Sequence, residues 1–249
     1  MPNHVTNIIE FHCSKDKFQS IAEYVKKDDS FLGSVDFNKL MPMPESLNIE
    51  CGSRGDQGFK MYKEYLNRLA LFSAPEDIRH LRQEYLDKVK DDPEIFELGE
   101  KYYWNLKNHK ATTWYDWCIN NWGTKWNAYD CQQVDAEAKY LQFNTAWSGV
   151  PNILSLLSEK YPDVQITYKW ADEDIGYNVG IATFIDGELK DYESIPGGSK
   201  EAFELAAEVH DFDLAEWGYA FNEKEGTYEY VGENLYLNEP IDHSSGEER

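Results

Sequence analysis

Lys125 stands between Trp122 and Trp126, with Asn120, Asn121, Thr124 and Asn127 beside it. An ammonium among large rings makes cation–π contacts. Rings flanked by polar groups can stack a base and hold a phosphate, so Asn121, Trp122, Lys125 and Trp126 form a candidate small-ligand site. The same side chains also serve to cap a helix end and satisfy loop backbone. Both readings stand. The wider stretch Trp114–Trp126 holds four of the eight tryptophans, and rings this large nucleate a core or line a pocket.

A second set is Asp172-Glu173-Asp174, three adjacent acids able to meet a divalent cation or a basic partner. An EF-hand does not fit, because its twelfth position is Thr183. Gly176 and Gly180 form no phosphate-binding loop, since no Lys-Ser/Thr comes after them. The six histidines are scattered and give no Ser/His/Asp or Cys/His spacing. Cys13, Cys51, Cys118 and Cys131 contain no Cys-x-x-Cys pair and read as free thiols packing as small hydrophobes. No metal site and no cofactor is expected.

The net charge of −22 is lopsided. Residues 127–249 hold 26 Asp and Glu against seven Lys and Arg, whereas residues 1–126 hold 20 against 17. Such a surface repels phosphate backbones, which argues against direct nucleic-acid binding by the second half. It attracts a basic partner, or serves solubility alone. Beyond the acids at 172–174, Glu201, Glu204, Glu208, Asp211, Asp213 and Glu216 are the candidate partner-binding residues. No apolar run reaches the length of a membrane span, and Met1-Pro2-Asn3-His4-Val5 has no leader pattern, so a cytoplasmic protein without membrane association is expected.

These residues need elements to hold them. Residues 3–12 read as a strand and 14–28 as a helix, with Phe18, Ile21, Ala22 and Val25 on one face and Ser14 as cap. Val35–Leu40 reads as a second strand, leading into a loop through Ser46, Gly52, Ser53 and Gly55. Residues 57–117 carry helical stripes, and Ser73-Ala74-Pro75-Glu76 reads as a capping box. Trp114 to Ile119 reads as a short helix that Gly123 ends. Residues 140–147 read as a strand, 151–161 as a helix and 164–170 as a strand. Strands at 177–185 and 189–195 are joined by the hairpin signal Asp186-Gly187. A helix comes next at 199–210, then a short one at 214–219 and a strand or arm at 228–237.

β-α-β thus occurs twice, which is the ferredoxin-like plan: an α+β antiparallel sheet with helices on one face. The expected organisation is a sheet domain from residues 1–56 and 127–198, a helical insertion at 57–126, an acidic region at 199–238 and a disordered tail at 239–249.

Four segments carry a resemblance: Pro2–Asn7, Asp36–Pro44, Asn121–Ala128 and Phe143–Ser148. Together they are similar to the YubB/Api-type proteins of plasmids, phages and integrative elements, over roughly residues 1–185. The resemblance implies a ferredoxin-like domain and a mobile-element context, with no assigned activity. Taken with the acidic second half and the missing catalytic set, this context points to a non-enzymatic accessory protein that binds a host protein, such as a defence or nucleic-acid-binding factor, through acidic phosphate mimicry. A nucleotide-binding module built on Trp122, Lys125 and Trp126 is the first rival, and a metal-dependent enzyme using Asp172, Glu173 and Asp174 is the second.

Overall fold

The computed structural model describes residues 2–193 and 195–232. β1 (His4–His12) leads to α1 (Lys15–Val25), whose cap Ser14 accepts a hydrogen bond from the Lys17 amide. A helical block comes next: α2 (Ser53–Leu69), α3 (Pro75–Lys88), α4 (Glu94–His109) and α5 (Trp114–Asn121). Then come β2 (Tyr140–Ala146), α6 (Pro151–Lys160), β3 (Gln165–Asp172), β4 (Gly180–Ile185), β5 (Glu188–Glu193), α7 (Lys200–His210), β6 (Tyr219–Asn222) and β7 (Thr227–Tyr230).

The main sheet has the order β2-β1-β3-β4-β5, and every neighbouring pair is antiparallel. Alternation sets the faces. Val5, Ile9 and Phe11 of β1, with Leu141, Phe143, Ile166, Tyr168, Ala182 and Phe184, point toward α1 and α6 and form one core with Phe18, Ile21, Leu154 and Leu157. Asp186 and Gly187 both take positive φ, at 53° and 73°, as the two-residue β4–β5 turn requires.

Several local expectations change. Val35–Leu40 is not a strand. Asp36 accepts from the Asn38 amide and winds Phe37–Lys39 into a 3-10 turn. The edge place beside β2 is filled by residues 129–132, where Tyr129 and Asn144 exchange both backbone bonds and the Gln132 amide donates to the Gln142 carbonyl. Helices also cover both faces: α7 packs Ala202, Leu205, Ala206 and Val209 on the reverse face, with Ile8 and Ile181. Finally, residues 214–218 are a turn, and β6 begins at Tyr219. The last expected strand is β7 as far as Tyr230; residues 233–237 and the 239–249 tail lie outside the described residues.

The helical block has two affiliations. α2, α3 and α4 build a separate core of Tyr62, Tyr65, Leu81, Tyr85, Val89, Ile95 and Phe96. α5 instead gives Trp117 and Cys118, with the adjoining Trp122, to the sheet's core. α3 starts at Pro75 as read, but its cap is Ala74 without a side-chain bond, so the Ser73–Glu76 box is not formed. Among the described residues, no helix is long and apolar enough to cross a membrane.

Candidate functional site

The tryptophan segment is fixed at both ends of α5. Thr113 caps the helix by accepting from the Tyr115 amide. Gly123, at φ 84°, turns the chain out of it, and glycine adopts such a φ without strain. Trp122 is 3% exposed, wedged edge-on against Phe37 and Trp117, and its indole N–H donates to the Met41 carbonyl at 2.9 Å. Asn121 donates to the Trp117 carbonyl at 2.8 Å and so closes the helix end.

Lys125 is different. Its Nζ lies 4.7 Å from the Trp126 ring, 5.1 Å from Trp147 and 5.8 Å from Tyr115. Trp126 and Trp147 are both partly open to solvent, at 38% and 40%. Trp147 holds φ 74°, a left-handed conformation that costs a bulky residue about 1–2 kcal/mol. Its carbonyl accepts from Asn178 and its amide donates to the Asn3 carbonyl, which keeps the ring over Lys125. Against this corner lies a hollow of about 330 Å³, lined by Met43, Asn48, Trp114, Cys118, Trp122, Lys125, Trp126 and Asn127.

Cys118 is no nucleophile there. Burial alone pushes its thiol up to about 11. Iodoacetamide at pH 8 is therefore expected to alkylate exposed Cys51 first and to leave Cys118 unmodified until the chain unfolds. Peptide mass mapping over time checks this order, and early labelling of Cys118 would contradict it.

The acids 172–174 do not act as one group. Asp172 is buried, and its carboxylate accepts from Asn3 Nδ2 (3.0 Å), Asn178 Nδ2 (2.8 Å) and the Asp174 amide (3.0 Å). Only Glu173 and Asp174 face solvent. Among the described residues, no cluster of three His, Cys, Asp or Glu is arranged to hold a metal ion. Asn3 precedes β1 and Asn178 precedes β4, and both strands begin at the end of the sheet where β3 finishes at Asp172.

The remaining acids gather on a C-terminal lobe. α7 is capped by Ser199 and held to β3 by His210, whose Nε2–H donates to the Asp172 carbonyl at 3.0 Å. Its outer face presents Glu201, Glu204 and Glu208. Glu208 pairs with Lys169 at 2.7 Å and Glu204 pairs with Lys200 at 3.5 Å, while Asp213 caps the turn at Ala215 and Glu216. Glu201, Asp211 and Glu216 are exposed and make no ion pair among the described residues. The β6–β7 hairpin, packed on α7 through Phe203, Tyr219 and Tyr228, adds Glu223, Glu225 and Glu229. This lobe also exposes aromatics that sequence reasoning missed: Trp217 at 56%, Phe221 at 45% and Tyr230 at 62%. Between hairpin and helix lies a shallow hollow of about 430 Å³, bounded by Ala207, Phe212, Leu214 and Phe221.

The four motif segments converge elsewhere, on a buried junction. Asn7, fully buried, donates from Nδ2 to Thr145 Oγ1 at 2.8 Å and accepts from the Tyr168 hydroxyl at 2.5 Å. Thr145 donates to the Ser148 carbonyl, and Thr124 is bonded both ways to the Ala146 backbone. Asn127 binds the Phe37 amide and Asp36. Pro2–Asn7, Asp36–Pro44, Asn121–Ala128 and Phe143–Ser148 are thus parts of one structural knot.

Residues 125–213 match the ferredoxin-like domain in Api92-like protein. The match begins at Lys125 and runs through β2, α6, β3, β4 and β5 into α7. It therefore reaches past residue 185, where the sequence resemblance ended, and takes in the acidic helix. A solved structure, protein Api92 from Yersinia pseudotuberculosis, is 11% identical, with 80% of this chain and 99% of that chain covered and a TM-score of 0.40. No curated protein matches the chain.

Proposed function

We propose that this protein is a non-enzymatic binding protein whose C-terminal lobe docks a basic protein surface. One observation carries the reading: the lobe of α7 and the β6–β7 hairpin exposes Trp217, Phe221 and Tyr230 together with the carboxylates of Glu201, Glu216, Glu223 and Glu229. Residues 199–232 hold nine Asp and Glu against two lysines. Charge of one sign steers a complementary partner and speeds encounter. Tryptophan and tyrosine are the side chains that most often anchor an interface once docked. A basic surface of the kind that binds DNA or RNA has the chemistry to match, and a phage or mobile-element protein acting on a host factor fits this reading.

The test replaces Glu201, Glu216, Glu223 and Glu229 with Gln, and separately Trp217 with Ala. The probe is a purified basic DNA-binding domain competing with its own duplex, together with capture from host lysate at low and high salt. Wild type is expected to displace the duplex at low salt. The quadruple variant should bind about tenfold or more weaker, which is about 1.4 kcal/mol. Trp217→Ala should weaken binding without changing its salt dependence. Equal capture by wild type and the quadruple variant would sink the reading.

A further inference from the structure

The hollow beside Lys125 differs in charge from the rest of the molecule. Among the described residues, no Asp or Glu lines this hollow. The hollow between α7 and the reverse face of the sheet has Glu10, Glu208 and Asp211, and the one under the hairpin has Glu204 and Asp213. The one beside α4 has Glu50, Glu94 and Glu97. Here the lining is three tryptophans, Met43 and Cys118, with Asn48, Asn127 and Lys125 as the polar members.

Lys125 makes no ion pair or hydrogen bond among the described residues, and its ammonium is ringed by Tyr115, Trp126 and Trp147. Rings hold a cation in place but do not neutralise it, so its charge is left available to an anion. Trp147 is held in a strained backbone conformation to complete that setting. The volume, about 330 Å³, is at the small end for a ligand site and suits one ring system with a short charged arm.

We propose that this hollow binds a small planar anion. The ring lies on the apolar floor made by Trp114, Trp122 and Trp126, and a carboxylate or phosphate meets the Lys125 ammonium. Exposed Asn48 offers its side-chain amide to ring heteroatoms, while the Asn127 amide is engaged by the Phe37 and Ala128 amides and Asp36. This site is separate from the C-terminal lobe and does not depend on the binding function assigned to it. An aromatic carboxylate and a nucleoside monophosphate share this chemistry, and the experiment separates them.

The 249-residue chain is titrated with indole-3-acetate, AMP and UMP, and with the uncharged analogues indole, adenosine and uridine, by calorimetry and saturation-transfer NMR. At least one anion is expected to bind, and Lys125→Met, which keeps the apolar stem, should weaken it about tenfold through loss of a charge-assisted contact. The matching uncharged analogue should bind weakly and equally to both proteins. Trp126→Ala should weaken anion and analogue alike. Binding of indole-3-acetate alone assigns an aromatic acid, and binding of the nucleotides alone assigns a nucleotide. No transfer to any anion at millimolar concentration would overturn the proposal, as would anion binding that Lys125→Met leaves unchanged. Circular dichroism of each variant keeps a folding defect from being read as loss of binding.

Discussion

Gly99→Ala is expected to take the helical block apart. A Cβ at position 99 would sit 2.0 Å from the Gly58 carbonyl oxygen, and one at position 58 would sit 2.1 Å from the Ile95 oxygen. Both obstacles are backbone, so no rotamer change relieves them. α2 and α4 would have to move apart, which lifts Tyr62 and Tyr65 from Phe96, now 5.5 and 5.3 Å away ring to ring. Overpacking of this kind costs about 3 kcal/mol. The gain of about 1 kcal/mol from replacing a helical glycine with alanine does not offset it. Thermal unfolding and hydrogen exchange at α2 to α4 amides read the effect. Lys60→Ala, on the exposed side of α2, is the control and should change little. An unchanged melting temperature in Gly99→Ala would contradict the close crossing.

That crossing also shows why parts of the fold were hidden in the sequence. Gly52, Ser53 and Gly55 read as loop because glycine usually interrupts a helix. In the structure Ser53 opens α2, and Gly55 and Gly58 are the small residues that admit Tyr102 and the α4 backbone. Tertiary approach overrode local propensity. Val35–Leu40 failed for the opposite reason: its apolar residues suit a strand, but the Asp36 side chain bonds the Asn38 amide and Asn127, and a turn wins. Where alternation met an uninterrupted sheet, at 140–147 and 164–170, pattern and structure agree because one face is buried along its whole length.

The candidate site was legible in part. Lys125 among rings was visible from spacing, but Trp147 and Tyr115, which complete the setting, come from other segments. Trp122 could not be told from its neighbours by sequence, since its burial and its bond to Met41 are tertiary. Acid counting located the C-terminal lobe. It did not reveal that Asp172 is internal, nor that Trp217, Phe221 and Tyr230 stand outside. Exposure depends on the groups that pack over a ring, and no sequence period encodes those.

The buried junction gives the second large effect. Tyr168→Phe removes a hydroxyl that donates to Asn7 Oδ1 and accepts from the Val150 amide at 2.7 Å, leaving two buried groups without that partner. Each such group costs about 1–3 kcal/mol, so a loss of about 3 kcal/mol is expected by urea unfolding. Asn7→Leu should cost a similar amount, since Thr145, the Phe143 carbonyl and Tyr168 all lose a partner. The double variant should lose clearly less than the two together, by about 1–2 kcal/mol, because the Tyr168–Asn7 bond is counted in both single variants. Alkaline titration gives an independent check. Burial raises the Tyr168 phenol far above its ordinary value, so the folded state holds its proton where the unfolded state releases it. Stability is then complete below the unfolded value of about 10 and falls as pH rises past it, and Tyr168→Phe should make that fall shallower. Strict additivity would mean that Asn7 and Tyr168 act separately. Coupling would mean that distant segments of the chain are held in register by one polar knot.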